Sequence, residues 1–223
     1  MENLERVNIN MNEILKYILI LLIFSIISYL VITTIVDAIL LGPLSIHFSK
    51  ATSTQKYFIA KPNKIDIQKD FQCSGYSCAY VLRYFDLEIK GEECYNKMPN
   101  KMKNGYVYPK GITNYLKEKG IKSRYIMGNL NSLKKDLEKG TPIIVMIKVR
   151  KDKNWLHYVP LVGFDENCLY FAESLEYLSN DSHNLYNRKI TNKNFLKLWN
   201  TSSIKQPFYK NTYFVIEGKQ RDN

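Results

Sequence analysis

The sequence has few cysteines, and their number and spacing indicate neither a disulfide scaffold nor a metal site. Four cysteines in 223 residues are too few for a disulfide scaffold, and none form the Cys-x-x-Cys spacing of a zinc site. The Gly-x-x-x-x-Gly-Lys-[Ser/Thr] motif of a nucleotide-binding loop is missing, as are internal repeats and low-complexity tracts. These absences argue against a disulfide-rich, zinc-binding, ATP-hydrolysing or repeat protein. We therefore expect no cofactor and no metal ion.

Acidic residues are outnumbered by basic ones. The 32 Lys and Arg residues against 21 Asp and Glu residues give a net charge of +11. A basic surface favours anionic partners such as lipid headgroups or nucleic acid. No basic helix or known binding motif accompanies the charge, and Lys, Asn, Ile and Tyr are frequent throughout. Compositional bias is the simpler interpretation, so nucleic acid is not an expected partner.

One long stretch carries no charge at all. Residues 17–36 read YILILLIFSIISYLVITTIV, and a helix of that length spans about 30 Å, the thickness of a membrane's hydrocarbon core. A signal peptide would have a shorter apolar run and a small-residue cleavage site, which the following AILLGPLSIHF does not supply. We predict a single-pass membrane anchor at about 17–41 within an N-terminal segment 1–42. Equal numbers of basic residues flank it, so the side of the membrane stays open.

The remaining chain predicts an α+β domain. A polar, basic linker is expected at 43–64 and a folded domain at 65–218. Apolar residues recur with helical spacing over about 75–86, and further helical patterns precede a set of strand-like segments. Helices first and strands later favour helices packed on an antiparallel sheet.

His157 is the histidine that lies on a well-defined element. It begins the strand LHYVPLVGF, and CLYFAES follows after a tight turn. If that turn is centred on Asp165, the paired strands place Glu173 directly opposite His157, about 5 Å away. A carboxylate beside an imidazole is the arrangement that prepares a histidine to take a proton from a thiol.

Two cysteines compete for the role of that thiol. The stretch QCSGYSCAYVLRYF places Cys73 where an amphipathic helix is expected to begin, and a helix N-terminus favours a thiolate. Cys78 lies five residues later, inside the same helix. A small buried thiol is its usual interpretation.

These segments together resemble one known family. A cysteine, a small-residue turn and a helix ending VLRYF, then GTPIIVMI, then HYVPLVGFDENCLYFAES, are similar to the bacteriocin-processing, or double-glycine leader, peptidases of the papain-like cysteine peptidase superfamily. The resemblance covers roughly residues 65–175. It implies a papain-like fold, with an N-terminal helix packed on an antiparallel sheet.

The resemblance also implies roles for individual residues. Cys73 would be the nucleophile, His157 the base, and Glu173 the third member in place of the family's Asp. Gln68 is the candidate for the oxyanion hole, although it lies five residues before the cysteine, whereas the family has six. Cys78 with Gln72 remains the alternative pair, because Gln72 precedes Cys78 by six residues, the spacing of papain-like oxyanion glutamines.

The chain departs from the family pattern at other points as well. Ser74 replaces a Gly after the cysteine, and Glu173–Ser174 replaces Asp-Pro. Three functions therefore remain: a membrane-anchored cysteine peptidase, an inactive peptide-binding module tethered to the membrane, and a protein that binds anionic surfaces through its basic charge. The expected partners are a peptide or leader-peptide substrate, the lipid bilayer and a separate transporter.

Overall fold

The computed structural model describes residues 11–42, 44–51, 54–202 and 210–219. Six α-helices and eight strands are present in these ranges, with a 3-10 turn at Glu176–Leu178. In chain order they are α1 (Met11–Leu41), β1 (Leu44–His47), β2 (Tyr57–Phe58), α2 (Cys73–Tyr84), α3 (Gly91–Lys97), α4 (Pro109–Glu118), β3 (Ile121–Gly128), α5 (Leu130–Leu137), β4 (Ile143–Lys148), β5 (Leu156–Phe164), β6 (Cys168–Phe171), β7 (Arg188–Thr191), α6 (Asn192–Trp199) and β8 (Thr212–Lys219).

Helix α1 is set apart from the rest by its apolar, uncovered surface. Its segment Met11–Ile39 has a mean hydropathy of 2.7 over its most apolar window, and none of that window is buried against the protein. In the described part of the chain this is the one helix long and apolar enough to cross a membrane. Its last residue, Leu41, is by contrast only 5% exposed because it packs against the folded domain.

The strands form one sheet with the order β1-β3-β8-β4-β5-β6-β7, and β2 adds to β5. All pairs are antiparallel except β1 with β3, which is parallel. The predicted α+β class is confirmed, and the predicted antiparallel sheet holds apart from this one pair.

Helices cover both faces of the sheet. Alternate residues of a strand point to opposite faces, and along β4 one set packs with side chains of α5 and α6, the other with side chains of α2, α3 and α4. The result is a three-layer arrangement in which α2 lies directly against β5.

Three short strands were not predicted. β1 and β2 lie within the segment 43–64 that was interpreted as a linker, and β7 lies in a stretch without a strand assignment. They contain only two to four residues each, too few for an alternating pattern to be recognisable. The segment 43–64 is therefore partly built into the sheet, while the domain boundaries stay a prediction.

The hairpin of β5 and β6 has a different turn from the predicted one. The sequence interpretation centred the turn on Asp165, which would place His157 opposite Glu173. In the structure the Asp165 backbone N–H donates to the Cys168 carbonyl at 3.0 Å, so residues 166–167 form a two-residue turn. The Asp165 carboxylate also accepts from backbone N–H groups of this turn, which explains why the turn closes there.

A β-bulge between Leu161 and Gly163 adds a further shift. Phe171 pairs with Leu161, whereas the predicted register paired it with Val159. The predicted register is therefore wrong by two residues. Glu173 approaches His157 diagonally and not from the directly opposite position.

Candidate active site

Cys73 is the first residue of α2 and is nearly buried. The first backbone N–H groups of an α-helix have no partner within the helix, and the helix dipole places positive potential there. Close packing holds this turn in place: a Cβ at Gly75 would lie 2.5 Å from the Gly91 carbonyl oxygen and from Tyr95 N. Only glycine at position 75 lets α3 approach so closely.

His157 lies near the start of β5 and beside both predicted partners. Its Nε2 is 2.7 Å from Glu173 Oε1, and its side chain and that of Cys73 line the same pocket. Since Nε2 is occupied by the carboxylate, Nδ1 is the ring nitrogen left for the thiol. The structure thus brings Cys73, His157 and Glu173 together, with a hydrogen bond between His157 and Glu173.

Glu173 is fully buried and has three partners for its carboxylate. Besides His157, Oε1 accepts from the Leu175 backbone N–H at 2.8 Å, and Oε2 lies 2.6 Å from Arg188 Nη1. Asn187 fixes the backbone of Glu173 from both sides: its Oδ1 accepts from Glu173 N at 2.6 Å, and its Nδ2 donates to Glu173 O at 2.9 Å. The carboxylate is therefore held in one orientation.

The opposite charges of His157 and Glu173 shift the pKa values of these two residues in opposite directions. Burial by itself would lower the pKa of His157, but the Glu173 carboxylate and the neighbouring Cys73 outweigh it and raise the pKa to about 9. Burial by itself would raise the pKa of Glu173, but His157, Arg188 and the Leu175 N–H lower it to about 2. At neutral pH the pair is thus an imidazolium next to a carboxylate.

Gln68 lies beside Cys73 in the wall of a pocket of 290 Å³ that His157 also lines. Its Oε1 accepts a hydrogen bond from Ser174 Oγ at 2.9 Å, and its Nε2 donates to the Asp70 carbonyl at 2.6 Å. An amide nitrogen carries two hydrogens, so one N–H of Nε2 is left by these contacts.

The alternative pair lies outside this pocket. Cys78 is completely buried inside α2, and burial raises the pKa of its thiol well above the ordinary value. Gln72 is half-buried in front of the helix and forms no side-chain cap. The other two cysteines are buried and free, and in the described ranges no group of three or more His, Cys, Asp or Glu side chains could hold a metal ion.

Sequence reasoning missed Arg188 and Asn187. Both residues contact Glu173. Arg188 is the first residue of β7, Asn187 is the residue before it, and both pair with β6. A single Arg in a sequence rich in basic residues does not indicate that it lies close to Glu173. Recognising β7 as the neighbour of β6 would have placed Arg188 beside Phe171 and so close to Glu173.

The mixed α+β fold matches that of C39 peptidase domains. The sequence model of the Peptidase_C39 like family matches residues 60–206, most of the folded domain. The chain therefore belongs to that family, as the sequence pattern had indicated. No protein with a curated description matches it.

Solved structures share the fold at low sequence identity. A double-glycine-motif protease from an AMS/PCAT transporter, crystallised with a leader peptide, has 14% identity and a TM-score of 0.51 over 73% of this chain and 98% of that one. The peptidase domain of Streptococcus ComA, a bifunctional ABC transporter, has 17% identity and a TM-score of 0.54 over 71% and 99%. A C39-like peptidase from Bacillus anthracis has 17% identity and a TM-score of 0.55 over 74% and 98%.

Proposed function

We propose that this protein is a membrane-anchored cysteine peptidase that cleaves peptide bonds with Cys73, His157 and Glu173. The observation that carries the proposal is a thiol at a helix N-terminus that shares a pocket with a buried imidazole, which is in turn hydrogen-bonded to a buried carboxylate. Family membership supports the same reaction class.

In the proposed reaction the Cys73 thiolate attacks the carbonyl carbon of the peptide bond. The His157 imidazolium donates its proton to the departing amine, which leaves a thioester on Cys73. Water then attacks the thioester while His157 takes up a proton from the water molecule. This step releases the carboxylic acid product and the Cys73 thiolate. Glu173 orients the imidazole and stabilises its positive charge.

Two N–H donors are available for the negative oxygen of the tetrahedral intermediate. The backbone N–H of Cys73 has no helical partner because it belongs to the first turn of α2. The second donor is the Gln68 amide, whose remaining Nε2 hydrogen lies beside the same pocket. Fixed donors of this kind are a large part of transition-state stabilisation in acyl transfer.

Arg188 acts in this proposal as a positioning residue. Its guanidinium binds the Glu173 oxygen that His157 does not use. This contact keeps the carboxylate ionised and points Oε1 at the imidazole. Arg188 does not touch the substrate.

We propose that α1 anchors the enzyme in a membrane and that the substrate is a peptide. The length and apolar surface of α1 support the anchor. A leader peptide is the favoured substrate, because one structural relative was crystallised with a leader peptide. Another relative is part of an ABC transporter, which supports a separate transporter as a partner.

Hydrolysis of internally quenched peptides that contain a Gly-Gly pair tests this function. The full-length protein in detergent should cleave such peptides, Cys73→Ala should abolish cleavage, and Cys78→Ala is the matched control that should retain it. Cleavage that survives Cys73→Ala but not Cys78→Ala would move the nucleophile to Cys78. A folded protein that binds these peptides without cleaving them would be the inactive binding module.

A further inference from the structure

The last turn of α1 is packed on the start of α4. Lys110 Nζ donates to the Ile39 carbonyl oxygen at 3.4 Å, and a Cβ at Gly42 would lie 3.5 Å from Lys110 Cβ. A cation at the C-terminus of a helix is also favoured by the helix dipole. Leu41 is almost buried beside these contacts. The end of the apolar helix is therefore held against the folded domain.

Two loops of the domain surround this end of α1. The first loop, residues 101–108, leads into α4, and the second loop, residues 149–155, joins β4 to β5. Leu41 lines one cavity together with side chains from both loops, which are Met102, Asn104, Asn154 and Trp155. Both loops are therefore close neighbours of the residue at which α1 ends.

The two loops are strongly basic. The first reads KMKNGYVY, with two lysines and no acidic residue, and the second reads VRKDKNW, with three basic residues and one Asp. Among the described residues Arg150 and Asp152 form the loops' one ion pair, with 2.9 Å between Arg150 Nη2 and an Asp152 oxygen. Lys103, Lys151 and Lys153 are exposed. Their positive charge faces solvent and is available to an anionic partner.

Trp155 adds an amphipathic side chain to this basic surface. It is 54% exposed, although large aromatic side chains are normally mostly buried, and Lys153 Nζ lies 5.9 Å from the centre of its ring. Trp, Lys and Arg side chains concentrate where the hydrocarbon of a bilayer meets the headgroups, because their apolar parts enter lipid while their polar ends stay hydrated. An exposed Trp among lysines beside an apolar helix is therefore typical of a membrane-interface surface.

The position of the loops along α1 matches the headgroup layer. The charge-free stretch ends at Val36, and Leu41 lies five residues later, which is about 7.5 Å of helix. The headgroup region is about 5–8 Å deep on each side of the hydrocarbon core. If α1 crosses the bilayer as proposed, the side chains around Leu41 lie at the depth of the lipid phosphates.

We infer that the loops 101–108 and 149–155 form a surface that binds anionic phospholipid headgroups beside the anchor. The inference rests on the proposed membrane anchor and not on the peptidase chemistry. The lysines attract the negative headgroups, and Trp155 enters the interface between them. Because Trp155 also lines the pocket of Cys73, a consequence is that the peptide substrate meets Cys73 at the membrane surface.

Tryptophan fluorescence of the full-length protein in lipid nanodiscs tests the inference. The chain has two tryptophans, and Trp199 is fully buried, so subtracting the emission of Trp155→Phe isolates the emission of Trp155. Phospholipids brominated on the acyl-chain carbons close to the headgroup quench a tryptophan that lies among them. Quenching of Trp155 should be about twofold stronger in phosphatidylglycerol discs than in phosphatidylcholine discs. Salt at about 1 M should remove most of this difference, because it screens the attraction.

Charge variants connect the quenching to the two loops. Lys103→Gln combined with Lys153→Gln should lower the quenching in phosphatidylglycerol to near the phosphatidylcholine value, with each variant compared to itself in unbrominated discs. Lys117→Gln combined with Lys122→Gln is the matched control. It removes the same charge from exposed positions near the other end of α4, where Lys117 lies about 12 Å along the helix from Pro109. Its quenching should equal that of the wild type.

The outcomes separate this inference from the proposed anchor. If the protein leaves the lipid fraction on washing with carbonate, the anchor fails, and the inference fails with it. If the protein stays with the lipid but Trp155 is quenched equally in both lipids, or the quenching survives Lys103→Gln with Lys153→Gln, the anchor stands and the inference is wrong. The basic loops would then serve another anionic partner. Peptide hydrolysis does not enter the measurement, so the peptidase function is tested separately.

Discussion

Glu173 serves two cationic partners from one buried carboxylate. Oε1 holds His157 and Oε2 holds Arg188, and neither oxygen reaches solvent because the side chain is fully buried. The shifted hairpin register places Glu173 diagonally across from His157. Glu is one methylene longer than the Asp that the family pattern has, and this extra length suits a diagonal approach.

Replacing Glu173 should therefore affect both folding and turnover. Glu173→Gln leaves the buried Arg188 charge without its carboxylate, which costs about 3 kcal/mol or more of unfolding free energy. The amide can also turn the imidazole to the wrong tautomer, so kcat should fall by about three to four orders of magnitude. Thermal unfolding and peptide hydrolysis measure the two effects.

The double variant Glu173→Gln with Arg188→Met separates them. Removing the unpaired cation should restore most of the lost stability, whereas turnover should stay as low as in the single variant. Recovery of near wild-type turnover in the double variant would show that Glu173 acts only as a structural partner of Arg188.

The raised pKa of His157 should set the upper pH limit of the proposed peptidase activity. Since the pKa is about 9, the imidazolium persists through neutral pH and loses its proton as the pH rises through about 9. The departing amine needs that proton, so kcat/KM should fall above this pH. The double variant lacks the Glu173 carboxylate, so the lowering of the His157 pKa by burial is less strongly opposed. The fall in kcat/KM at high pH should therefore move to lower pH. An upper limb that stays in place would contradict the account.

At the scale of elements, the long periodic segments could be predicted from sequence. Helix α2 was expected over about 75–86 and runs from Cys73 to Tyr84, and the hydrophobic strands β4, β5 and β8 were found where β-rich runs predicted them. Their patterns reflect burial against the sheet, which a sequence records directly.

The candidate site was only partly predictable for the same reason. Cys73 and His157 lie near the starts of the long elements α2 and β5, and Glu173 follows the short strand β6, which the sequence pattern indicated together with β5. Arg188 lies on a four-residue strand that is recognisable only once its pairing with β6 is known. The β-bulge after Leu161 also leaves no recognisable pattern in the sequence. The contact between His157 and Glu173 was therefore predicted from a strand register that is wrong.

The β5–β6 turn should matter for stability and not for turnover. The Asp165 carboxylate accepts from the backbone N–H groups of Asn167 and Cys168 and from the Tyr170 hydroxyl. Asp165→Ala should lower the unfolding free energy by about 1–3 kcal/mol, because these donors lose their partner. Its kcat should stay within about twofold of wild type. A large fall in kcat with unchanged stability in denaturant titration would assign Asp165 a part in the site.

At the scale of the whole molecule, α1 and the folded domain are joined through Leu41 and the short strand β1. Leu41 packs into the domain and β1 pairs with β3. The end of the apolar helix and the strand β1 therefore both contact the folded domain.

The proposed role of α1 as a membrane anchor makes a prediction about fractionation. The full-length protein should remain in the membrane pellet after washing with carbonate or high salt, because burial of about twenty apolar residues in lipid does not depend on charge. The fraction is followed by immunoblotting with a C-terminal tag. A shortened soluble form that starts near residue 44 would show that the helix is a cleaved signal.

The central claim is that Cys73 is a nucleophile prepared by His157 and Glu173, and adduct mapping tests it most directly. The full-length protein is treated at neutral pH with an electrophilic probe for cysteine peptidases, digested, and mapped by peptide mass spectrometry. The account predicts a single adduct on Cys73, present in Cys78→Ala and strongly reduced in His157→Ala. An adduct on Cys78, or labelling of Cys73 that is equally fast without His157, would contradict it.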